Sequence, residues 1–553
     1  MARETAPRKP TPIPLPARFA PAPWLAPAVL VLLVLAVQRQ TLGTYFALDD
    51  LILFQQSAGI RPWPLTLWRW LSGWAWFRAV VPLWGHEPFP YHAASLVLDV
   101  VNVLLLHRLA RHWGASPVAA FVGAGLFAAS RLHFPALFAI TSVGELLSLT
   151  FTLAALLVTG PGPRGVAALA VFALALSAKE SVLLVPLAAL LATPGGRPWR
   201  ERVRASAPLV AGGLVLGGAL LASGLGSGRL GGQAYAVSFG ANLAENIARL
   251  FGWTIDLVDP IPDLHAATEG VARWLLPVLA VALSLLPFRL RGLRDDSLLR
   301  TGTVWWWLAV LPVLPLPGRT YLHYLYVPLA GAALAAAALW DRGLARWAAR
   351  ARARPGPGRQ RWLVALAAVV AYGVWSDVLI SLRMDLRMTS TDWPLDPVLR
   401  KSEIARRGVG DVQKVLGRRH ANVVILIPAS ISQDVNLGSG SISAGAPVRH
   451  YALEDVLDEG RSLRALVPAV DSAVFAHDYA PGYVGWACFL SRSDSHLVPL
   501  GALPGAHARF VEAMLASQLP AAALDYADKA LRDAPEDAGM RALRERAAAA
   551  LPR

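Results

Sequence analysis

Four short clusters in this 553-residue chain have residue types and spacing suited to chemistry. The first is Asp49-Asp50. One carboxylate of such a pair can accept a proton from an attacking hydroxyl while its neighbour positions a substrate or a cation. Adjacent like charges also push one pKa up. The same pair equally reads as the cap of a short helix. The second cluster is Arg131-Leu132-His133-Phe134-Pro135, with Glu145 in the apolar run that follows. His133 alone reads as a packed or interfacial histidine. Glu145 needs a partner or a wet cavity, because a carboxylate at membrane depth is costly. The third is Lys179-Glu180, lying between two apolar runs, where Lys179 suits a phosphate oxygen; an ordinary turn is the alternative. The fourth runs from Arg319 to Pro328. Arg319 can hold phosphate through two parallel hydrogen bonds. Tyr321, His323 and Tyr324 suit a sugar or lipid-headgroup site, or else an aromatic belt with an anchoring arginine.

The elements that must position these groups follow from composition. Hydrophobic residues make up 55% of the chain and charged residues 16%, with 20 Trp. The mean hydropathy is +0.45. Soluble domains average about 25% charged residues, so a soluble enzyme is excluded and a mainly α, polytopic membrane protein is expected. Eleven apolar stretches are candidate spans: 22–38, 91–107, 117–132, 134–158, 165–178, 180–193, 207–223, 271–288, 302–317, 320–340 and 362–380. Lys179 alone separates two of them, which allows a broken hairpin or a re-entrant pair. The first span starts late and lacks a small-residue cleavage site, so it reads as an anchor.

Charge asymmetry sets the orientation. With residues 1–21 as a cytoplasmic tail, the inner segments hold 22 Lys and Arg, against 10 in the longer outer segments before residue 381. Residues 1–380 carry 32 basic and 17 acidic residues; residues 381–553 carry 20 of each. The net charge of +15 is therefore mainly a topology signal, with no nucleic-acid footprint. An odd number of spans places 381–553 outside. The implied location is a bacterial-type inner (plasma) membrane. All four clusters then fall at outer span ends and converge on one external, anion-friendly site.

Two outer loops are large, 39–90 and 224–270. Trp70, Trp74, Phe77, Val81 and Trp84 share one helical face, as an interfacial helix would, or a buried hairpin. A helix is expected at 242–256, and Asp256, Asp259 and Asp263 form a second acidic set. Residues 381–506 read as a small α/β domain: a helix at 397–418, a buried strand at 422–428 and further strands at 471–477 and 483–491. Residues 437–446 read as a Gly/Ser-rich loop. Residues 507–553 read as two helices broken at Pro535, either a single tetratricopeptide-like repeat or a plain hairpin. Gly226, Gly228 and Gly231 fit G-x-G-x-x-G but have no βαβ context. No P-loop or zinc constellation is present, and the single Cys488 excludes an intramolecular disulfide.

The ordered set resembles that of a C-superfamily (GT-C) glycosyltransferase. It is similar to bacterial relatives of protein O-mannosyltransferases and of transmembrane/tetratricopeptide O-mannosyltransferases. The likeness covers about residues 20–340. It rests on Asp49-Asp50, a Trp-rich loop ending in Pro88-Phe89-Pro90-Tyr91-His92, then Asn102, His133, Gly144-Glu145, Lys179-Glu180 and Arg319 through Pro328. The chain departs from the family pattern at Leu132-His133-Phe134-Pro135, at Val143-Gly144 and at Arg319-Thr320-Tyr321. The resemblance implies inverting transfer of a sugar from a polyprenyl-phosphate donor, whose lipid lies among the membrane lipids, to a hydroxyl of a protein, lipid or glycan. It implies Asp49 or Asp50 as general base and Lys179 and Arg319 on the leaving phosphate. His133, Glu145, Glu180, Tyr321, His323 and Tyr324 would shape the site. A divalent cation, Mg or Mn, is optional and would sit at Asp49 and Asp50. The competing readings are a lipid or glycan transporter (flippase) and a non-catalytic, membrane-anchored interaction protein.

Overall fold

The computed structural model describes residues 23–47, 49–63, 66–192, 198–226, 237–256, 271–317, 320–350, 358–388, 393–428, 452–492 and 494–551. Arg319, Asp259, Asp263 and the loop 437–446 lie outside them.

The chain is mainly helical. The first helices are α1 (Leu25–Gln38), α2 (Asp50–Ser57), α3 (Trp76–Trp84), α4 (Pro88–His112), α5 (Pro117–Ala128), α6 (Phe134–Phe138), α7 (Val143–Val158) and α8 (Pro163–Ala178). There follow α9 (Trp199–Gly226), α10 (Ala241–Thr254), α11 (Val271–Arg289), α12 (Ser297–Val310), α13 (Tyr326–Arg350) and α14 (Gly358–Asp385). Six helical stretches among the described residues are long and apolar enough to cross a membrane: Leu25–Gly43, Pro88–His112, Ile140–Val158, Trp199–Gly226, Leu322–Arg346 and Arg359–Asp385. The pair Pro117–Ala128 and Arg131–Phe138, bent by 44°, is a seventh if taken as one span.

This is fewer than the eleven stretches counted from hydropathy, and the differences have local causes. Lys179 takes an extended backbone (φ −159°, ψ 136°) and stops α8 after 16 residues. The following run carries Pro186 and coils as short 3₁₀ turns, Glu180–Val182 and Val185–Leu190, rather than as one long α-helix. α12 ends at Val310, before Pro312, Pro315 and Pro317, after only 14 residues. α11 occupies the stretch expected at 271–288, with Pro277 and Pro287 inside it.

Small residues let the helices close. A Cβ on Gly302 of α12 would stand 2.5 Å from the Gly331 carbonyl of α13, so the two backbones touch where only glycine fits. α1 and α14 run parallel: a Cβ on Gly373 would stand 2.8 Å from Leu33 of α1, and further along both chains Arg39 pairs with Asp377 at 2.6 Å and Gln40 donates to Ser381 at 2.6 Å. The chain segments that leave these two helices therefore emerge at the same end of the bundle.

Those segments meet. α15 (Pro397–Leu416) starts on Asp396, whose carboxylate accepts from the N–H groups of Val398 and Leu399 and also pairs with Arg383. Strands β1 (Ala421–Leu426), β2 (Val470–Ala476), β3 (Ala487–Ser491) and β4 (Leu497–Ala502) form one sheet in the order β2-β1-β3-β4. β1 is parallel to β2 and β3, and β4 is antiparallel. β4 is an unexpected strand, and its Pro499 is tolerated at the sheet edge. Helices α16 (Ala452–Val456) and α17 (Arg461–Leu466) connect β1 to β2. The tail folds as three helices in place of the expected two: α18 (Ala506–Ala516), α19 (Pro520–Asp533) and α20 (Ala538–Ala549). Tyr526, Ala523 and Ala530 are buried where this trio packs against the sheet.

This domain docks on the loop that follows α1. The Tyr45 N–H donates to Ser402 Oγ and that hydroxyl donates to the Tyr45 carbonyl, both at 3.0 Å. Gln55 donates to Ser462 at 2.9 Å, and Arg61 pairs with Asp458 at 2.8 Å.

Candidate functional site

The site is organised by a turn, Ile140–Ser142, that enters α7. The Asp50 carboxylate accepts from the N–H groups of Thr141 (2.8 Å) and Ile140 (3.4 Å) and from that of Ala47 (2.9 Å). Asp50 is fully buried. Burial raises its pKa to about 7, against the opposing pull of these N–H donors. It ties the first loop to the turn. Asp49, by contrast, is exposed. The geometry thus splits the pair: Asp50 holds, and Asp49 faces solvent beside Lys401 of α15.

Within the first turn of α7, Glu145 reaches two partners. Its Oε1 lies 3.1 Å from the Lys179 ammonium and its Oε2 accepts from Ser181 at 3.1 Å. Gly144 makes the approach possible, since a Cβ there would sit 3.1 Å from the Ala178 carbonyl and from Ser72 Oγ. Lys179 also stands over the Tyr324 ring at 5.9 Å. Tyr321, His323 and Tyr324 form one aromatic group, with His323 and Tyr324 centroids 4.5 Å apart and Tyr321 stacked on His323 at 5.4 Å.

Glu180 turns away from Glu145 and pairs with Arg69 of the first loop, whose Nε donates at 2.8 Å. Arg69 lies 4.2 Å over the Trp68 ring and holds a left-handed backbone, φ 53°. A non-glycine residue in that region stores strain and marks a constrained position. It is followed by a π-turn, Leu71–Ala75, a helix irregularity common at functional sites. Ser72 in that turn donates to the Ala178 carbonyl at 2.6 Å. The expected interfacial helix is therefore partly drawn inward: Trp74 stays exposed, while Phe77 is buried in a cluster with Phe46, Phe54 and Tyr91.

His133 is not in this cluster. It is fully buried, with Nδ1 3.4 Å from Asp99 and its ring between Phe127 (4.4 Å) and Tyr326 (4.7 Å). Tyr326 donates to Asp99 at 2.7 Å and accepts from Asn102, whose amide also donates to the Leu146 carbonyl. That carbonyl, next to Glu145, joins this deeper network to the Lys179 cluster. Asp256 serves as a tether, pairing with Arg131.

Of the four clusters expected to converge, the structure gathers Glu145, Lys179, Tyr321, His323 and Tyr324, turns Glu180 to Arg69 beside them, and places His133 apart. Arg319 lies outside the described residues. Arg69 and Asp99 join the site without having stood out as candidates in the sequence. The first carried a signal, an arginine flanked by Trp68 and Trp70; the second, one aspartate in a long apolar helix, is the type of residue that membrane burial makes expensive. The acidic pair fits a divalent cation poorly, because both oxygens of Asp50 already accept N–H groups. Among the described residues no group of three or more His, Cys, Asp or Glu stands together as a metal site. No family model, curated protein or solved structure matches the chain.

Proposed function

We propose that the chain is a membrane glycosyltransferase of the GT-C type, moving a sugar from a polyprenyl-phosphate donor to a hydroxyl of a protein, lipid or glycan. The observation that carries this reading is the single turn 140–145. It ties the loop bearing exposed Asp49 to the helix bearing Glu145 and hence to Lys179. This linkage supports a base and a phosphate-binding cation acting at one mouth of the bundle.

The chemistry divides accordingly. Asp49 takes the proton of the acceptor hydroxyl. The oxygen attacks the anomeric carbon from the face opposite the phosphate, the carbon–oxygen bond to phosphate breaks, and the configuration inverts. Lys179, with Arg319, binds the departing phosphate, whose negative charge grows in the transition state. Glu145 and Glu180 hold Lys179 and Arg69 in place, and the aromatic group packs the sugar or lipid headgroup.

With this reading go the finer expectations: about eleven transmembrane helices, a cytoplasmic N-terminus, an extracytoplasmic C-terminal domain and a tetratricopeptide-like tail. The parallel course of α1 and α14 supports the shared side of the first loop and that domain.

The test is transfer from a polyprenyl-phosphate sugar by purified protein. Asp49→Asn is expected to abolish transfer while helix content and melting stay near wild type. Full activity in Asp49→Asn sinks the assignment of the base. Unchanged glycans on envelope proteins and lipids after gene deletion, read by mass spectrometry, sink the function.

A further inference from the structure

The opposite end of the bundle carries a different feature. Arg289, Arg291 and Arg294 crowd the turn from α11 to α12, and all are exposed. Arg346 of α13 joins them, its guanidinium 3.8 Å from where a Cβ on Gly292 would stand. Arg108, near the end of α4, and Arg359, in the first turn of α14, are exposed as well. The start of α14 is beside the start of α5, with Trp362 and Phe121 rings 5.4 Å apart. α5 in turn abuts the end of α13, where Ser116 donates to Asp341.

The acidic groups here are mostly committed. Asp296 pairs with Arg342 and caps α12 through the Leu299 N–H. Asp341 is held by Ser116. Asp295 lies 4.0 Å from Arg294. Among the described residues, Arg108, Arg289, Arg291, Arg346 and Arg359 make no ion pair. Arg359 also sits at the positive end of a helix dipole, where a cation is unfavourable unless an anion covers it. Among the described residues, the arginines of the patch outnumber the acidic groups left to answer them.

The arginines alternate with exposed apolar side chains. Leu286, Phe288 and Leu290 are 38%, 39% and 49% exposed and continue the outward face of α11. An acidic protein or a nucleic acid would leave these side chains in water. A bilayer surface takes both at once, apolar groups at acyl depth and guanidinium groups at phosphate depth. We propose that this end of the bundle binds the phosphate headgroups of anionic phospholipid, with Arg289 and Arg291 at its centre. The site is independent of sugar transfer and lies on the opposite end of the helices.

The test uses the full chain in nanodiscs of phosphatidylcholine, with or without phosphatidylglycerol, read by melting midpoint and by intact-complex mass spectrometry of retained lipid. Phosphatidylglycerol is expected to raise the midpoint and to be retained preferentially, with both effects lost in high salt and in the R289Q/R291Q double variant. Arg289→Lys with Arg291→Lys keeps them in part, and R418Q/R419Q, in the C-terminal domain, keeps them fully. If R289Q/R291Q fails to fold in phosphatidylcholine, preferential retention by the wild-type chain and its loss in salt decide the matter. Equal lipid preference in the double variant and the wild type, or no preference in the wild type, overturns the proposal and leaves the patch to an acidic soluble partner.

Discussion

The Lys179 ammonium lies 3.1 Å from Glu145 Oε1, joining the residue that ends α8 to the first turn of α7. Glu145 is 1% exposed and Lys179 12%. Each compensates the other in a place where a lone charge is expensive. Lys179→Met alone therefore leaves a buried carboxylate and is expected to destabilise the fold by about 3–5 kcal/mol. The double change Lys179→Met with Glu145→Leu recovers much of that loss, because apolar replacement of a whole buried pair is often neutral. Thermal melting in detergent separates the two, and equal loss in single and double variants would contradict the pairing. If the proposed function holds, sugar transfer is expected to be lost in both.

Asp50 gives a pH dependence of definite sign. Burial raises its pKa from 3.8 to about 7. Between about pH 4 and about pH 7 the folded chain then holds a proton that the unfolded chain has released. Stability from this group is full below that window and is lost as the pH rises through about 7. The melting midpoint of the wild type should fall across the window, and Asp50→Asn should flatten that part of the profile. A wild-type profile already flat there counts against the buried carboxyl.

Ser402 is the stitch between the first loop and the C-terminal domain, since its hydroxyl bonds both the N–H and the carbonyl of Tyr45. Ser402→Ala removes two hydrogen bonds, each worth about 0.5–1.5 kcal/mol. Hydrogen exchange should quicken at residues 45–57 while the α5–α13 core stays protected. Unchanged exchange at Tyr45 would show that the contact does not hold the loop.

Cys488 lies within β3 and is 1% exposed. Burial pushes its thiol up to about 12, leaving little thiolate at neutral pH. Maleimide labelling should be slow in the native chain and complete after denaturation. Rapid native labelling would mean that the C-terminal sheet opens readily.

The sequence by itself pointed to the membrane class, the mainly helical build and the C-terminal α/β domain, and of the four clusters it expected to converge, Glu145, Lys179, Tyr321, His323 and Tyr324 do stand together. These follow from local patterns: apolar run length, a short buried strand such as Asn422–Pro428, and ionisable residues that an apolar setting makes expensive. Only the tertiary structure decided which carboxylate of the acidic pair is buried, because that depends on N–H groups some 90 residues away at Ile140 and Thr141. It also decided that Arg69 answers Glu180, that His133 sits deeper with Asp99, and that Leu497–Ala502 becomes an edge strand. Hydropathy counts apolar length but not backbone path, so it could not see Lys179 take an extended conformation and the run after it coil as 3₁₀ turns. Long-range partners such as these are chosen by packing, and residue type and spacing alone leave that choice open.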